Sequence, residues 1–159
     1  MSRLTTDDLA DIEAIKKTKA QYFYFLDNKR WADLRGVFTE DCDFDSAKVG
    51  EYQMSGLDDF IRYASAGLAG GISVHHGHMP IIDVLGNGEA AGIWAMVDYV
   101  QVPDPDVSGG FRGFVGYGHY HERYRKVGDD WRISGWAITR LRVDPLPPGA
   151  FMDLDRKPA

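Results

Sequence analysis

The sequence contains a single cysteine, Cys42, among its 159 residues. One thiol cannot form a disulfide bond within the chain, and it cannot build a zinc site from several thiolates. The sequence is therefore compatible with a reducing compartment, and we expect a cytoplasmic protein.

An excess of basic residues is also missing, since the formal net charge is -6. Nucleic acids and anionic membranes bind basic surfaces, so the charge argues against both as partners. No apolar stretch approaches the roughly 20 residues of a membrane span, and the N-terminal segment lacks the apolar core of a signal peptide. The expected partner is a neutral or hydrophobic small molecule.

Apolar side chains are plentiful, with 44% hydrophobic and 13% aromatic residues. A chain of this length and composition can bury a substantial core. We predict a single domain over residues 1–144. A proline-rich, extended tail is predicted over residues 145–159.

Helical patterns occupy the first part of the chain. Apolar residues recur at steps of three and four from Leu9 to Leu26, which predicts a first helix over 6–28 with Thr6 or Asp7 as its N-cap. A second, short helix is predicted to end near Gly36, and a third precedes the glycines at 70–71. Between them we predict a short strand pair around Val49 and Gly50.

Strand patterns occupy the remainder. Two β-rich runs joined by "GNGE" predict one hairpin, and two more joined by "GDD" predict a second. Helices followed by antiparallel strands indicate the α+β class. Around residues 93–97 both strand faces are apolar, which favours a curved sheet closed by helices around an apolar cavity, the default ligand site.

Three charged residues stand in apolar surroundings. Asp27 follows five apolar or aromatic residues at the negative end of the first helix dipole, so it either faces water or is held by a buried partner. Asp98 shares a strand face with Trp94 and Met96, and it either meets solvent at the strand end or is buried. Arg140 lies in the last strand among apolar residues, where it could pair with Asp98 structurally or functionally.

The five histidines form two clusters, "SVHHGHMP" and "HYH". They are His75, His76, His78, His119 and His121. They could bind a metal, act as a base or serve packing. The spacing partly resembles a cupin metal site, but Arg125 and Lys126 stand where the expected glutamate would follow and the second cupin motif is absent. We therefore predict no bound metal, and we expect the "HYH" histidines on a surface or subunit contact.

The segments "DIEAIKKTKAQYFYFLDNKRW", "SVHHGHMP", "GIWAMVDYV" and "WAITRLRV" together resemble one family. The chain from 11 to 143 is similar to the SnoaL-like branch of the nuclear transport factor 2-like superfamily, with bile acid 7α-dehydratases closest and scytalone dehydratases related. The resemblance implies a cone-shaped α+β barrel with three N-terminal helices packed on a curved, mainly antiparallel sheet. It also implies a homotrimer or homodimer and no cofactor.

The resemblance further implies five catalytic residues. They are Tyr22, Asp27, His75, Asp98 and Arg140. Asp27 would orient His75 as a general base, and Tyr22 would assist the departing hydroxyl as a phenol donor. Asp98 would also assist it as an acid if protonated, whereas Arg140 would hold Asp98 as a carboxylate or bind a substrate oxygen. Strand alternation predicts that His75 points away from His76 and His78 unless a bulge intervenes.

These residues predict a cofactor-independent lyase that removes water from a hydrophobic, cyclic, hydroxylated substrate. A ketosteroid or polyketide isomerase or cyclase is the alternative within enzymes, because the same proton abstraction without a leaving group gives it. A domain that binds a small molecule without catalysis is the alternative outside enzymes.

Overall fold

Helices precede the long strands in the structure, a computed structural model that describes residues 4–44, 48–49, 52–104, 106 and 110–147. The helices are α1 (Thr6–Asp27), α2 (Trp31–Gly36) and α3 (Leu57–Gly67). The strands are β1 (Phe38–Asp43), β2 (Lys48–Val49), β3 (Tyr52–Gln53), β4 (Ile72–Gly86), β5 (Glu89–Pro103), β6 (Phe111–Val127) and β7 (Asp130–Pro145). The predicted α+β class with three helices on a sheet is confirmed.

The N-cap of the first helix lies one residue before the earlier of its two predicted positions. Thr5, rather than Thr6 or Asp7, is the N-cap, and its hydroxyl accepts a hydrogen bond from the backbone nitrogen of Asp8 at 3.1 Å. The carboxylate of Asp8 accepts from the backbone nitrogen of Thr5 at 2.8 Å, which completes a capping box. Two otherwise unpaired backbone donors are satisfied in this way.

The main sheet has five strands in the order β1-β7-β6-β5-β4. Both predicted hairpins are present. The first turns through Asn87 and Gly88, and both residues have the positive φ that a two-residue type I′ turn requires. Strand β1 pairs in parallel with β7 and was not predicted from the sequence. The sheet is therefore mainly antiparallel with one parallel edge strand.

The helices cover one face of this sheet. The inner face buries large side chains, among them Trp94, Tyr120 and Trp136, at 5% exposure or less. The opposite face of β5 is open, with Ile93 39% exposed. The core thus lies between α1, α3 and the concave side of the sheet, where the cavity was predicted.

Two predictions fall partly outside the described residues. The short strand pair is present as β2 and β3, whereas Gly50 itself lies outside that part of the chain. The predicted tail begins at Pro145, which the structure places as the last residue of β7. The tail residues from 148 onward lie outside the described part of the chain. No helix among the described residues is long and apolar enough to cross a membrane.

Candidate active site

The last residue of α1, Asp27, faces the beginning of β4. Its Oδ1 lies 2.6 Å from Nδ1 of His75, and its Oδ2 accepts the backbone N–H of His75 at 2.8 Å. The two side chains are 20% and 8% exposed, respectively. Asp27 is therefore held by a largely buried partner, and it does not simply face water.

This contact determines the state of the imidazole. A carboxylate only accepts hydrogen bonds, so Nδ1 of His75 carries the proton and Nε2 is left as the basic nitrogen. The ring of His75 lines the internal cavity. The pair consequently places an imidazole held by a carboxylate at the wall of that cavity.

Ser73 holds Asp27 and Lys29 holds Ser73, and both residues were missed from the sequence. The hydroxyl of Ser73, a residue only 4% exposed, donates to Oδ1 of Asp27 at 2.9 Å. The same hydroxyl accepts from Nζ of Lys29 at 2.7 Å. Lys29 has a φ of 60°, a left-handed conformation that ends α1 and turns the chain. A serine two residues before a histidine and a lysine just after a helix are too common to have signalled this chain of contacts.

Asp98 and Arg140 form a second charged pair within the same cavity. Nη1 and Nη2 of Arg140 donate to Oδ1 and Oδ2 of Asp98, each at 2.6 Å. The Asp98 side chain is 3% exposed and that of Arg140 is 29% exposed. Burial lowers the pKa of Arg140, but the hydrogen bonds and charge of Asp98 outweigh burial and leave that pKa raised. Asp98 is therefore buried, and both of its oxygens are engaged as acceptors.

A glycine makes room for this pair. Gly116 lies opposite Asp98 in the β5–β6 pairing, and a Cβ atom there would stand 2.2 Å from both Nη1 of Arg140 and Oδ1 of Asp98. No residue with a side chain fits without moving the pair. The sequence contains 18 glycines, so nothing in it distinguishes this one.

Tyr22 lies one helical turn before the end of α1 and is 1% exposed. Burial raises its pKa strongly and the charge of Glu122 adds to this, whereas the side chains of Tyr120 and Trp136 act in the opposite direction. The phenol is therefore neutral over the physiological pH range. It can donate a hydrogen bond but is a poor source of a full proton.

The cavity that these residues share has a volume of about 180 Å³. It is lined by Tyr22, Leu26, Met54, Phe60, Tyr63, Ala64, Gly67, Leu68, His75, Asp98, Val100, Phe114, Tyr120, Trp136, Ile138 and Arg140. Four of the five predicted site residues are in this lining, and Asp27 lies behind His75. Two larger clefts, of about 300 and 510 Å³, contain none of the five, so their size does not make them better candidates.

The other four histidines lie away from the cavity. His76 and His78 form one pair and His119 and His121 another, each with ring centroids 6.2 Å apart. His76, His78 and His121 are exposed, and Nε2 of His121 lies 2.9 Å from the hydroxyl of Thr139. His75 points away from His76 and His78, as strand alternation predicts. Within the described residues, no group of three or more potential ligands is placed to hold a metal ion.

A buried ion pair lies beneath the cavity and was also missed. Nζ of Lys19 donates to Glu122 at 2.6 Å, and both side chains are at most 1% exposed. The ammonium also sits 3.4 Å from the ring centroid of Tyr120 and 4.1 Å from that of Tyr22. Burial lowers the pKa of Lys19 to about 8, against the attraction of Glu122. The ammonium of Lys19 therefore packs against the rings of both Tyr22 and Tyr120.

Comparison with known proteins identifies a matching family and solved structures with a similar fold. Residues 7–137 match the model of a family described as SnoaL-like domain. A probable cyclase, FGR4, from Gibberella zeae is 26% identical over 136 residues, which cover 80% of this chain and 89% of the relative.

Two solved structures extend the comparison. A hexachlorocyclohexane dehydrochlorinase (LinA, type 2) superposes with a TM-score of 0.77 at 16% identity, covering 94% of this chain and 98% of the other. A putative scytalone dehydratase from Novosphingobium aromaticivorans gives a TM-score of 0.74 at 20% identity, covering 97% of this chain and all of the other. At these identities the two structures share the fold with this chain.

Proposed function

The chain belongs to the family of SnoaL-like domains, and from that premise we propose that it is a cofactor-independent lyase of the dehydratase type. Its substrate is a hydrophobic, cyclic, hydroxylated compound that enters the cavity beside His75. The observation that carries the proposal is the contact between Asp27 and His75 inside an apolar cavity. Dehydratase-type and cyclase-type relatives support an enzyme of this general kind.

The chemistry follows from the atoms that face the cavity. Nε2 of His75 takes a proton from a carbon next to a carbonyl, and the electron pair of that C–H bond forms the new double bond as the neighbouring C–O bond breaks. The proton held by His75 then passes to the departing hydroxide, which leaves as water. General base catalysis of this kind contributes about 10²–10⁴-fold.

The remaining site residues have narrower roles. Because both oxygens of Asp98 accept from Arg140, we assign Asp98 to holding the guanidinium and not to acting as an acid. Tyr22 donates a hydrogen bond to an oxygen of the substrate, which its neutral phenol can do without losing its proton. His76 and His78 take no part, since they lie on the opposite face of β4.

The size of the cavity restricts the substrate. An apolar cavity of about 150 Å³ holds benzene, so one of about 180 Å³ favours a ligand of one or two rings over a steroid. Bicyclic ketones with a hydroxyl group β to the carbonyl are therefore the first compounds to assay. Turnover would give a product lighter by one water, which mass spectrometry detects directly.

Matched substitutions on one strand test the base. His75→Ala should lower kcat by about 10²–10⁴-fold, whereas His76→Ala on the exposed face should leave kcat close to that of the original protein. Asp27→Asn should lower kcat while keeping the shape of the site. Equal activity of the two histidine variants would refute the proposal.

An isomerase or cyclase is the second candidate, favoured by the similarity to the probable cyclase from Gibberella zeae. Its product would have the mass of its substrate, so the same assay separates the two reactions. A binding domain without catalysis would turn over none of the compounds, and His75→Ala would leave their affinity unchanged.

We also propose a homotrimer or homodimer formed through the outer face of the sheet, and a cytoplasmic location. The open face of β5 and β6 supports the first, because exposed apolar residues lie there, such as Ile93 on β5 and Tyr117 on β6. Light scattering of the purified protein would give the subunit number.

A further inference from the structure

The indole of Trp136 is a buried donor without an acceptor. Trp136 lies on β7, is 4% exposed and lines the cavity. Its Nε1 makes no hydrogen bond within the described part of the chain. By contrast, Nε1 of Trp94 donates to the hydroxyl of Tyr124 at 2.9 Å, and Nε1 of Trp131 donates to Asp11 at 2.8 Å. A buried N–H left unpaired costs free energy, and native proteins seldom retain one without a reason.

The unpaired donor lies next to two phenols. The ring centroid of Trp136 is 6.0 Å from that of Tyr120, which is 5.9 Å from that of Tyr22. The side chain of Trp136 lowers the pKa of Tyr22 as a nearby donor does, so the indole lies near that hydroxyl, but its N–H does not have the geometry of a hydrogen bond with it. Burial keeps the pKa of both tyrosines raised, and both therefore retain their hydroxyl protons. Three neutral donors thus surround one part of the cavity.

The buried carboxylate of the cavity is engaged elsewhere. Both oxygens of Asp98 accept from Arg140, and neither pairs with the N–H of Trp136. An indole N–H can only donate, so it selects a ligand atom that accepts. Neutral donors suit a neutral acceptor whose negative charge grows during reaction, which describes a carbonyl oxygen next to a carbon that loses its proton.

We propose that Trp136 is a specificity-determining residue whose Nε1–H binds the carbonyl oxygen of a cyclic ketone in this cavity, beside the hydroxyls of Tyr22 and Tyr120. The inference rests on the proposed function for the reaction that follows, in which Nε2 of His75 takes a proton from the carbon next to that carbonyl. As the electron pair leaves the C–H bond, part of its charge reaches the carbonyl oxygen before the pair forms the new double bond and the neighbouring C–O bond breaks. The N–H of Trp136 stabilises that transient charge.

Two bicyclic probes that differ only in the oxygen test the proposal. In NMR spectra of the isotope-labelled protein, the indole proton of Trp136 is identified by its loss in Trp136→Phe. If that variant does not fold, the signal is identified by elimination with Trp31→Phe, Trp94→Phe and Trp131→Phe. Saturating α-tetralone should move the Trp136 signal downfield, as a new hydrogen bond does, and tetralin should not.

Affinities provide the second measurement. Trp136→Phe should lower the preference for α-tetralone over tetralin by about tenfold, the effect expected of one hydrogen bond. Trp94→Phe is the matched control, because the N–H of Trp94 is already paired with Tyr124, and it should retain the preference.

The outcomes separate this inference from the proposed function. If saturating α-tetralone does not move the Trp136 signal, the inference is overturned, whether the ketone binds elsewhere or does not bind. This holds even if the protein dehydrates β-hydroxy ketones. A downfield shift in a protein that dehydrates none of them supports the carbonyl site and counts against the lyase.

Discussion

Replacing Gly116 by alanine should destabilise the protein by breaking the charged pair above it. The new Cβ would stand 2.2 Å from Nη1 of Arg140 and from Oδ1 of Asp98, whereas non-bonded heavy atoms prefer a separation of about 3.5 Å. The two charged atoms must therefore retreat by about 1 Å, which ruptures a hydrogen bond of 2.6 Å. The Arg140 side chain, 29% exposed, can move toward water, but Asp98 at 3% cannot.

The expected loss of stability depends on how the two charges are compensated after the substitution. Breaking a fully buried pair costs about 3–5 kcal/mol because one charge is left uncompensated. Since Arg140 is partly exposed and the two groups can reorganise, we expect a decrease in the free energy of unfolding of about 2–4 kcal/mol. Urea unfolding followed by circular dichroism measures this as a shift of the midpoint at constant slope.

Gly36→Ala is the matched control for this measurement. No atom lies within 4 Å of the Cβ position at Gly36, which ends α2, so alanine there should be neutral or slightly stabilising. If Gly116→Ala and Gly36→Ala unfold at the same urea concentration, the argument that the glycine makes room for the pair is refuted.

Three further predictions concern buried polar groups. Ser73→Ala should lower kcat about tenfold with KM unchanged, because Asp27 loses one donor, and an unchanged kcat would rule out a positioning role. Ser65→Ala is the control and should leave kcat unchanged, because the hydroxyl of the half-buried Ser65 donates within α3, to the carbonyl of Arg62. Lys19→Met should destabilise the protein by about 3–5 kcal/mol and Lys19→Met with Glu122→Leu should recover most of it, as urea unfolding would show. Burial lowers the pKa of Lys19 from 10.5 to about 8, so between these pH values the unfolded chain binds more protons than the folded protein. The free energy of unfolding of the original protein should therefore rise with pH across that window, relative to that of the double variant. Burial raises the pKa of the Cys42 thiol, so a thiolate-specific reagent at pH 8 should react only after unfolding, and rapid reaction of the folded protein would contradict this.

The predicted elements were those whose patterns are local. The long hairpins follow from alternating strands and from two-residue turns, Asn-Gly in the first and Gly-Asp in the second, and these signals depend on neighbouring residues alone. Strand β1 was missed because it pairs in parallel with the distant β7 and combines the exposed Glu40 and Asp41 with buried residues on either side. Such a six-residue stretch has neither a clean alternation nor a flanking turn.

The site was predictable where a charge disagreed with its surroundings. Asp27 and Asp98 stand among apolar residues, and that conflict raised the possibility of a buried partner for each. Arg140 was suggested for Asp98 by its own apolar strand face, whereas His75 was named for Asp27 only through the family resemblance. Lys19 and Glu122 gave no such signal, because their contact joins residues 103 positions apart and each stands in an ordinary polar setting along the chain. The division into one domain over 1–144 and a tail stays a prediction, as do the roles of the five site residues.

The two charged pairs of the cavity arise from four different elements of the fold. Asp27 and His75 join α1 to β4, whereas Asp98 and Arg140 join β5 to β7. Changes at the β5–β7 end can therefore reshape which molecule is accommodated without disturbing the helix-to-strand contact of Asp27 with His75. In protein engineering, ligand selectivity could then be diversified at one end while the proposed base is inherited unchanged.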